Sequence, residues 1–282
     1  MTIKRATPIP FTLIASATVM LVIATSCTSS PETKPAPPPG VPVAVTSLAM
    51  HTLPIEEQER LLGPGSPASA RTRVLVAPDD PMLGAVYAPL TLVEFSDLSV
   101  TPARLAAPTI RALRADYGDR LRVVFKPIVD PSSAISLTAG LGAIAATEQG
   151  LFWPYYDCMT GLDHDPTPED IAGCAALTGA DLDRFSAAMQ DEGAYAQLDA
   201  ANAYARRVGV QGTPTFFLNG YRIDGAYPLE SFQSGLAAEA RTVESLRERH
   251  RISNGEVYAL VMRGARAATQ VTTDGDAGEC AP

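Results

Sequence analysis

The stretch Gly209-Val210-Gln211-Gly212-Thr213-Pro214-Thr215-Phe216-Phe217-Leu218-Asn219-Gly220 decides the fold. Thr215–Leu218 is a β-rich apolar run, and Tyr221-Arg222-Ile223 follows it across Asn219-Gly220. That dipeptide is among the strongest hairpin signals, because both central positions of the turn need positive φ. An antiparallel sheet edge is therefore expected here. Upstream, Leu90–Phe95 and Leu121–Phe125 are two further strands. Between them Pro102–Tyr117 carries Leu105, Ile110, Leu113 and Tyr117 at roughly helical spacing, with Pro108 inside and Gly118 to close the helix. A helix-rich stretch follows. Ser136–Gln149 is Ala-rich, Leu151–Met159 places Phe152, Trp153 and Tyr156 on one face, and Thr167-Pro168-Glu169-Asp170 reads as a capped start for a helix ending near Leu177. Asp181 opens a short helix to Met189, and Tyr195–Val208 forms one more. After the hairpin, Pro228 to about His250 reads as a long helix and Val257–Ala268 as a shorter one. The order is β-α-β, a helical insertion at about residues 132–208, then β-β-α, an α/β arrangement.

Lys4 and Arg5 precede an uncharged stretch whose apolar part, Phe11–Ala24, has signal-peptide length and is short for a membrane span. It ends in Ala24-Thr25-Ser26-Cys27, which resembles the bacterial lipobox, although leucine is usual where Ala24 stands. Residues 1–26 are thus read as a lipoprotein signal peptide and Cys27 as the lipidated mature N-terminus. The alternative is an ordinary signal peptide with Cys27 incidental; either way the chain is exported. Residues 27–42 form a Pro-rich tether, residues 43–85 an irregular extension with a short strand at Arg73–Val76, residues 86–250 the folded domain, and residues 251–282 a terminal helix and polar tail.

The whole chain of 282 residues carries 22 Lys plus Arg against 31 Asp plus Glu, a net charge of −9, and no compact basic stretch. Nucleic-acid binding is excluded on that ground. The four cysteines, Cys27, Cys158, Cys174 and Cys280, and the three histidines, His51, His164 and His250, are scattered, so no metal-ligand spacing appears and no metal or cofactor is expected. No dinucleotide, phosphate-loop or Gly-x-Ser-x-Gly motif is present. Cys158 and Cys174 fall on successive helices of an exported protein, which favours a structural disulfide; two free thiols, or pairing of either with Cys280, remain open alternatives.

The element order, with Gly212-Thr213-Pro214 leading into the hairpin, resembles the thioredoxin fold, in which a cis-proline sits opposite the redox motif. Ala88–Asp97 (APLTLVEFSD), Val123–Lys126, Glu148–Trp153 and Gly209–Gly220 together look like the DsbA-like family of exported thioredoxin-fold proteins, over about residues 80–245. In that family a Cys-Pro-x-Cys motif follows the first strand at a helix N-terminus, where the first thiol becomes an attacking thiolate. Here the four positions read Val100, Thr101, Pro102 and Ala103. Neither end residue can form a disulfide or attack one. Ser96, Ser99 and Thr101 are hydroxyls nearby, without a histidine between His51 and His164 to serve as base.

The resemblance implies a peptide-binding groove at Val100, Thr101, Pro102, Thr213 and Pro214, where an extended segment of an exported protein would pair with the proline loop. It also implies an acid-base pair of Glu94 and Lys126 beneath the lost motif. Lys126 is one of only three lysines. The functional expectation is a membrane-tethered binding or scaffolding module without redox chemistry. Two alternatives stand beside it: a thiol-disulfide oxidoreductase using cysteines outside the motif, and an envelope spacer whose extension covers Pro214.

Overall fold

The structure is a computed structural model, and it describes residues 53–62, 65 and 69–267. The signal segment, the tether, Cys27, His51 and Cys280 lie outside the described residues. In chain order the elements are α1 (Ile55–Leu62), β1 (Met82–Leu83), β2 (Leu90–Ser96), α2 (Thr101–Tyr117), β3 (Leu121–Pro127), α3 (Ala134–Glu148), α4 (Phe152–Thr160), α5 (Pro168–Leu177), α6 (Leu182–Ala188), α7 (Glu192–Arg207), β4 (Thr215–Leu218), β5 (Tyr221–Asp224), α8 (Leu229–His250) and α9 (Asn254–Gly264). The sheet order is β1-β3-β2-β4-β5, with β2 and β3 parallel and every other pairing antiparallel.

The central strands β2 and β3 are buried along almost their whole length, polar residues included, because both faces of the sheet are covered. On one face Phe125 and Phe216 meet Phe152 of α4 and Phe232 of α8. On the other, Phe95 packs on Phe217 and on Tyr204 of α7, and Arg122 lies over Tyr258 of α9. The helical insertion has its own apolar centre around Phe152, Tyr155, Tyr156, Met159 and Phe185. Local signals fix the boundaries. Thr167 and Asp170 form a reciprocal capping box, Asp181 accepts from the Arg184 N–H, and Gly118 takes φ 50 after α2. Asn219 and Gly220 hold φ 43 and 88 in the hairpin turn. A Cβ on Gly220 would stand 2.6 Å from the Thr72 carbonyl oxygen, so glycine is required there by space as well as by conformation.

Four expectations need correction. Residues 53–85 are not an irregular appendage where described: α1 and β1 are regular, β1 pairs with β3, and Val74, Leu75 and Val76 are fully buried. The stretch Arg73–Val76 is not a strand; it runs beside α7 and α9, where Tyr204 and Tyr258 hydrogen-bond its backbone. The C-terminal helix starts at Asn254, three residues early, because Ser253 and Glu256 form a second capping box; Val257 and Met262 place it in the same core as the sheet. Leu105, expected on the buried face of α2, is 66% exposed. Ala103, Ala106, Ala107, Ile110 and Leu113 form that face instead.

Candidate functional site

The first turn of α2 and the loop before β4 meet at one end of the sheet. Val100 occupies the N-cap in extended conformation without a side-chain cap, and Pro102 sits in the first turn. Val100 is half-buried, Thr101 and Pro102 are exposed, and Ala103 is buried. No sulfur occupies these four positions, so no thiol-disulfide exchange takes place at them.

Opposite them the Thr213-Pro214 peptide is cis. The Thr213 hydroxyl oxygen accepts from the Asp97 N–H at 2.9 Å and stands 3.4 Å from the Ser96 hydroxyl, tying the loop to the end of β2. Asp97 extends this tie. Its carboxylate accepts from the Ser99 N–H at 2.8 Å and from the Ser136 hydroxyl, and Ser136 accepts from the Asp130 N–H at 2.8 Å. A buried carboxylate with such donors satisfied is a rigid junction, and it holds the loop before α2, the loop after β3 and the start of α3 together. The Thr213 backbone N–H and C=O, by contrast, make no hydrogen bond among the described residues. Beside them lies a cavity of about 420 Å³ whose walls include Val100, Ile128, Val129, Ala205 and Val210.

The hydroxyls near the site are poor nucleophiles. Thr101 donates to Asp165 at 3.2 Å, and Arg104 binds both groups, at 2.9 and 2.7 Å. The Arg104 hydrogen bond, with that of Thr101, holds the Asp165 carboxyl below its ordinary value, so it is a weak base. His164 is occupied by Asp163 and Asp170 at 2.8 and 3.0 Å.

Glu94 and Lys126 do not form the expected pair. In the parallel register Glu94 lies opposite Phe125, and Lys126 opposite Phe95. Side chains alternate along a strand, so the two residues point to opposite faces of the sheet. Glu94 is fully buried on the α2 and α4 side, where the Tyr156 hydroxyl donates to it at 3.2 Å. Burial pushes the Glu94 carboxyl up to about 8, against the opposing effect of hydrogen bonds from Tyr156 and Ser96. Lys126 projects to the α7 side, pairs with Asp80 and lies 5.2 Å from the Tyr204 ring centre. Asp80 comes from the segment that sequence reading left irregular, which is why no local signal identified it.

Cys158 and Cys174 are joined by a disulfide between α4 and α5, with Cα atoms 5.6 Å apart. Of the five residues expected in the groove, Val100 and Thr213 line the cavity, whereas Thr101, Pro102 and Pro214 do not; Pro214 is buried, and Thr101 and Pro102 are exposed. None of the described residues 53–85 lines that cavity; the segment 71–73 instead touches the hairpin turn, where Thr72 donates to the Gly220 carbonyl. The Asp97–Ser136 junction was missed, since its members are 39 residues apart. No helix among the described residues is long and apolar enough to cross a membrane, and no metal-ligand cluster occurs among them.

Similarity to known proteins accords with this geometry. Among curated relatives, the Na+/H+ antiporter NhaA of Herminiimonas arsenicoxydans is 33% identical over 172 residues, which is 60% of this chain and 27% of that protein. The chain spans about a quarter to a third of the length of the antiporter relatives it matches. Among solved structures, a thioredoxin-like oxidoreductase from Silicibacter pomeroyi DSS-3 superposes with a TM-score of 0.53 at 22% identity, covering 58% of this chain and 94% of that one. A periplasmic thioredoxin-like protein from Salmonella enterica serovar Typhimurium gives 0.50 at 23% identity, covering 57% and 90%. The family model described as thioredoxin matches residues 76–238, which is more than half of the chain. With the cis-proline loop, the strand order and the helical insertion all in place, the chain belongs to the thioredoxin family and has the fold of its DsbA-like members.

Proposed function

We propose that this protein is an exported thioredoxin-fold module, anchored to the cell envelope through a lipid on Cys27, that binds an extended segment of another envelope protein and performs no disulfide exchange. One observation carries the reading. The Thr213 backbone is unpaired beside a mostly apolar cavity, while the facing helix start offers Val100 and Ala103 where attacking sulfurs would stand. An unpaired N–H and C=O beside a pocket are what strand addition uses for affinity and specificity. Export is supported by the signal-like segment 1–26 and by likeness to a periplasmic thioredoxin-like protein. Cys174 is 2% exposed and Cys158 half-buried in the disulfide, which favours a structural bond over a catalytic one.

The test is insulin reduction by the purified protein beside a Val100→Cys/Ala103→Cys variant. A silent parent with an active variant supports binding without chemistry. Activity in the parent that is lost on Cys158→Ser sinks the reading. Anchoring is tested separately: Cys27→Ala should move the protein from the membrane fraction to the soluble one.

A second reading concerns the partner. In the antiporter relatives the matched segment is a minor part of a much longer protein, which favours a membrane transport protein as the bound partner. Cross-linking from position 213 to such a protein in intact envelopes supports it; cross-links confined to soluble proteins oppose it.

A further inference from the structure

We propose that the cavity beside Thr213 takes one apolar side chain of the captured peptide, and that Arg206 selects a carboxylate next to that side chain. The inference rests on the groove reading above and adds a sequence preference to it. At about 420 Å³ the cavity has the size of a small ligand pocket, ample for a single large side chain. Its walls are built by three segments distant in sequence: Val100 at the start of α2, Ile128 and Val129 after β3, and Ala205 and Val210 at the end of α7.

The polar side chains around these walls are engaged, apart from those of Gln211 and Arg206. Asp97 is saturated by Ser99 and Ser136. The Asn202 side chain donates to the Val129 carbonyl and accepts from the Val129 N–H, each at 3.0 Å, which clamps that wall. Asp130 accepts from both the N–H and the hydroxyl of Ser132, at 2.9 and 2.6 Å, and these bonds hold its carboxyl below the ordinary value, so it stays ionised. The Arg206 side chain, in the last turn of α7, is exposed and makes no hydrogen bond or ion pair among the described residues. Its neighbour Arg207 pairs with Glu59, Arg104 with Asp165 and Arg71 with Glu239.

A free guanidinium at the rim of an apolar pocket suits a carboxylate, which it can bind through two parallel hydrogen bonds. Asp130 lines the same cavity with the opposite charge and repels an acid placed against it. The peptide is therefore read in one direction, with its acid on the α7 side. The rest of the chain is acidic, at −9 overall, so the attraction is local and weakens with salt.

The experiment titrates the full-length protein against three fluorescein-labelled peptides, Gly-Ser-Asn-Phe-Asp-Ser-Gly, Gly-Ser-Asp-Phe-Asn-Ser-Gly and Gly-Ser-Asn-Phe-Asn-Ser-Gly, followed by anisotropy at low salt. One acid order should bind up to about fivefold tighter than the acid-free peptide, the ceiling for an exposed ion pair. Arg206→Glu should reverse that preference, Arg206→Lys should keep part of it, and 0.5 M salt should flatten it. Equal affinity for all three peptides, or a preference that survives Arg206→Glu, overturns the inference. A Val100→Trp variant, which fills the cavity, separates the two failures. Equal binding that Val100→Trp abolishes leaves the groove reading standing and removes only the role of Arg206. Absence of binding by every peptide, or binding that Val100→Trp leaves unchanged, overturns both.

Discussion

Glu94 on β2 and Lys126 on β3 stand on adjacent strands and are both buried, yet they meet different fates on the two faces of one sheet. The Glu94 face is closed by α2, α4 and α8, supplies a phenol and a serine hydroxyl but no cation, and so favours the neutral acid. The Lys126 face borders a second cavity, of about 310 Å³, and supplies Asp80, which pairs with the ammonium. Burial alone therefore does not set the surroundings of a charged group. What counts is whether the same face delivers an opposite charge, and that is decided by strand register.

The largest effect expected to break this contrast is at Lys126. Lys126→Ala leaves the Asp80 carboxylate buried and unpaired and should cost about 3–5 kcal/mol in chemical denaturation. The double change Asp80→Asn/Lys126→Met should recover most of it. A loss under about 1 kcal/mol for the single change would show that Asp80, whose carboxyl burial already pushes up, takes up a proton or reaches solvent once Lys126 is gone.

Next in size is the pH dependence contributed by Glu94. Its carboxyl titrates at about 8 when folded and near its ordinary 4.5 when unfolded. Between those values the unfolded chain releases the proton while the folded chain keeps it, so stability falls as pH rises, by about 1.4 kcal/mol per unit. Roughly 3 kcal/mol is lost by pH 7 on that slope. Glu94→Gln should remove this fall, equalling the parent near pH 4 and exceeding it near pH 8. Lys126→Met should leave the Glu94 window where it is, because the ammonium lies on the other face. A window that moves upward in Lys126→Met would restore the pairing that the register denies.

Tyr156→Phe sharpens the same face. Losing the hydrogen bond should cost about 1 kcal/mol and, since Tyr156 lowers the Glu94 value, should extend the falling limb of the pH profile above pH 8. The smallest effect belongs to a pair outside both faces. Asp165→Asn breaks the contact with Arg104 at an 80% exposed side chain and should leave the denaturation midpoint almost unchanged, since solvent screens an exposed ion pair. A larger loss there would mean that the Thr101–Arg104–Asp165 contact carries the start of α2.

Where one segment alone supplied the physics, the sequence was legible. The hairpin at Asn219-Gly220, the Thr167 and Asp181 caps and the central strands all appear as read. Where the physics joined distant segments, reading failed or was silent. Leu105 has the right helical spacing for the core, but Ala103, Ala106 and Ala107 take the close face, leaving Leu105 outside. Asp80 lies 46 residues from Lys126, in a stretch with weak periodicity.

Local chemistry along the chain fixes the order of elements from β2 onward, the hairpin, the Thr167 and Asp181 caps and the absence of sulfur at Val100–Ala103, because propensity, capping and covalent identity are local properties. Packing between distant segments sets Glu94 and Lys126 on opposite faces, brings the segment before β2 into the core and gathers Val100, Val129, Arg206 and Thr213 around one cavity. A one-residue change of register would exchange the faces of every side chain on a strand. That choice is made by the packing of the whole sheet between its helices.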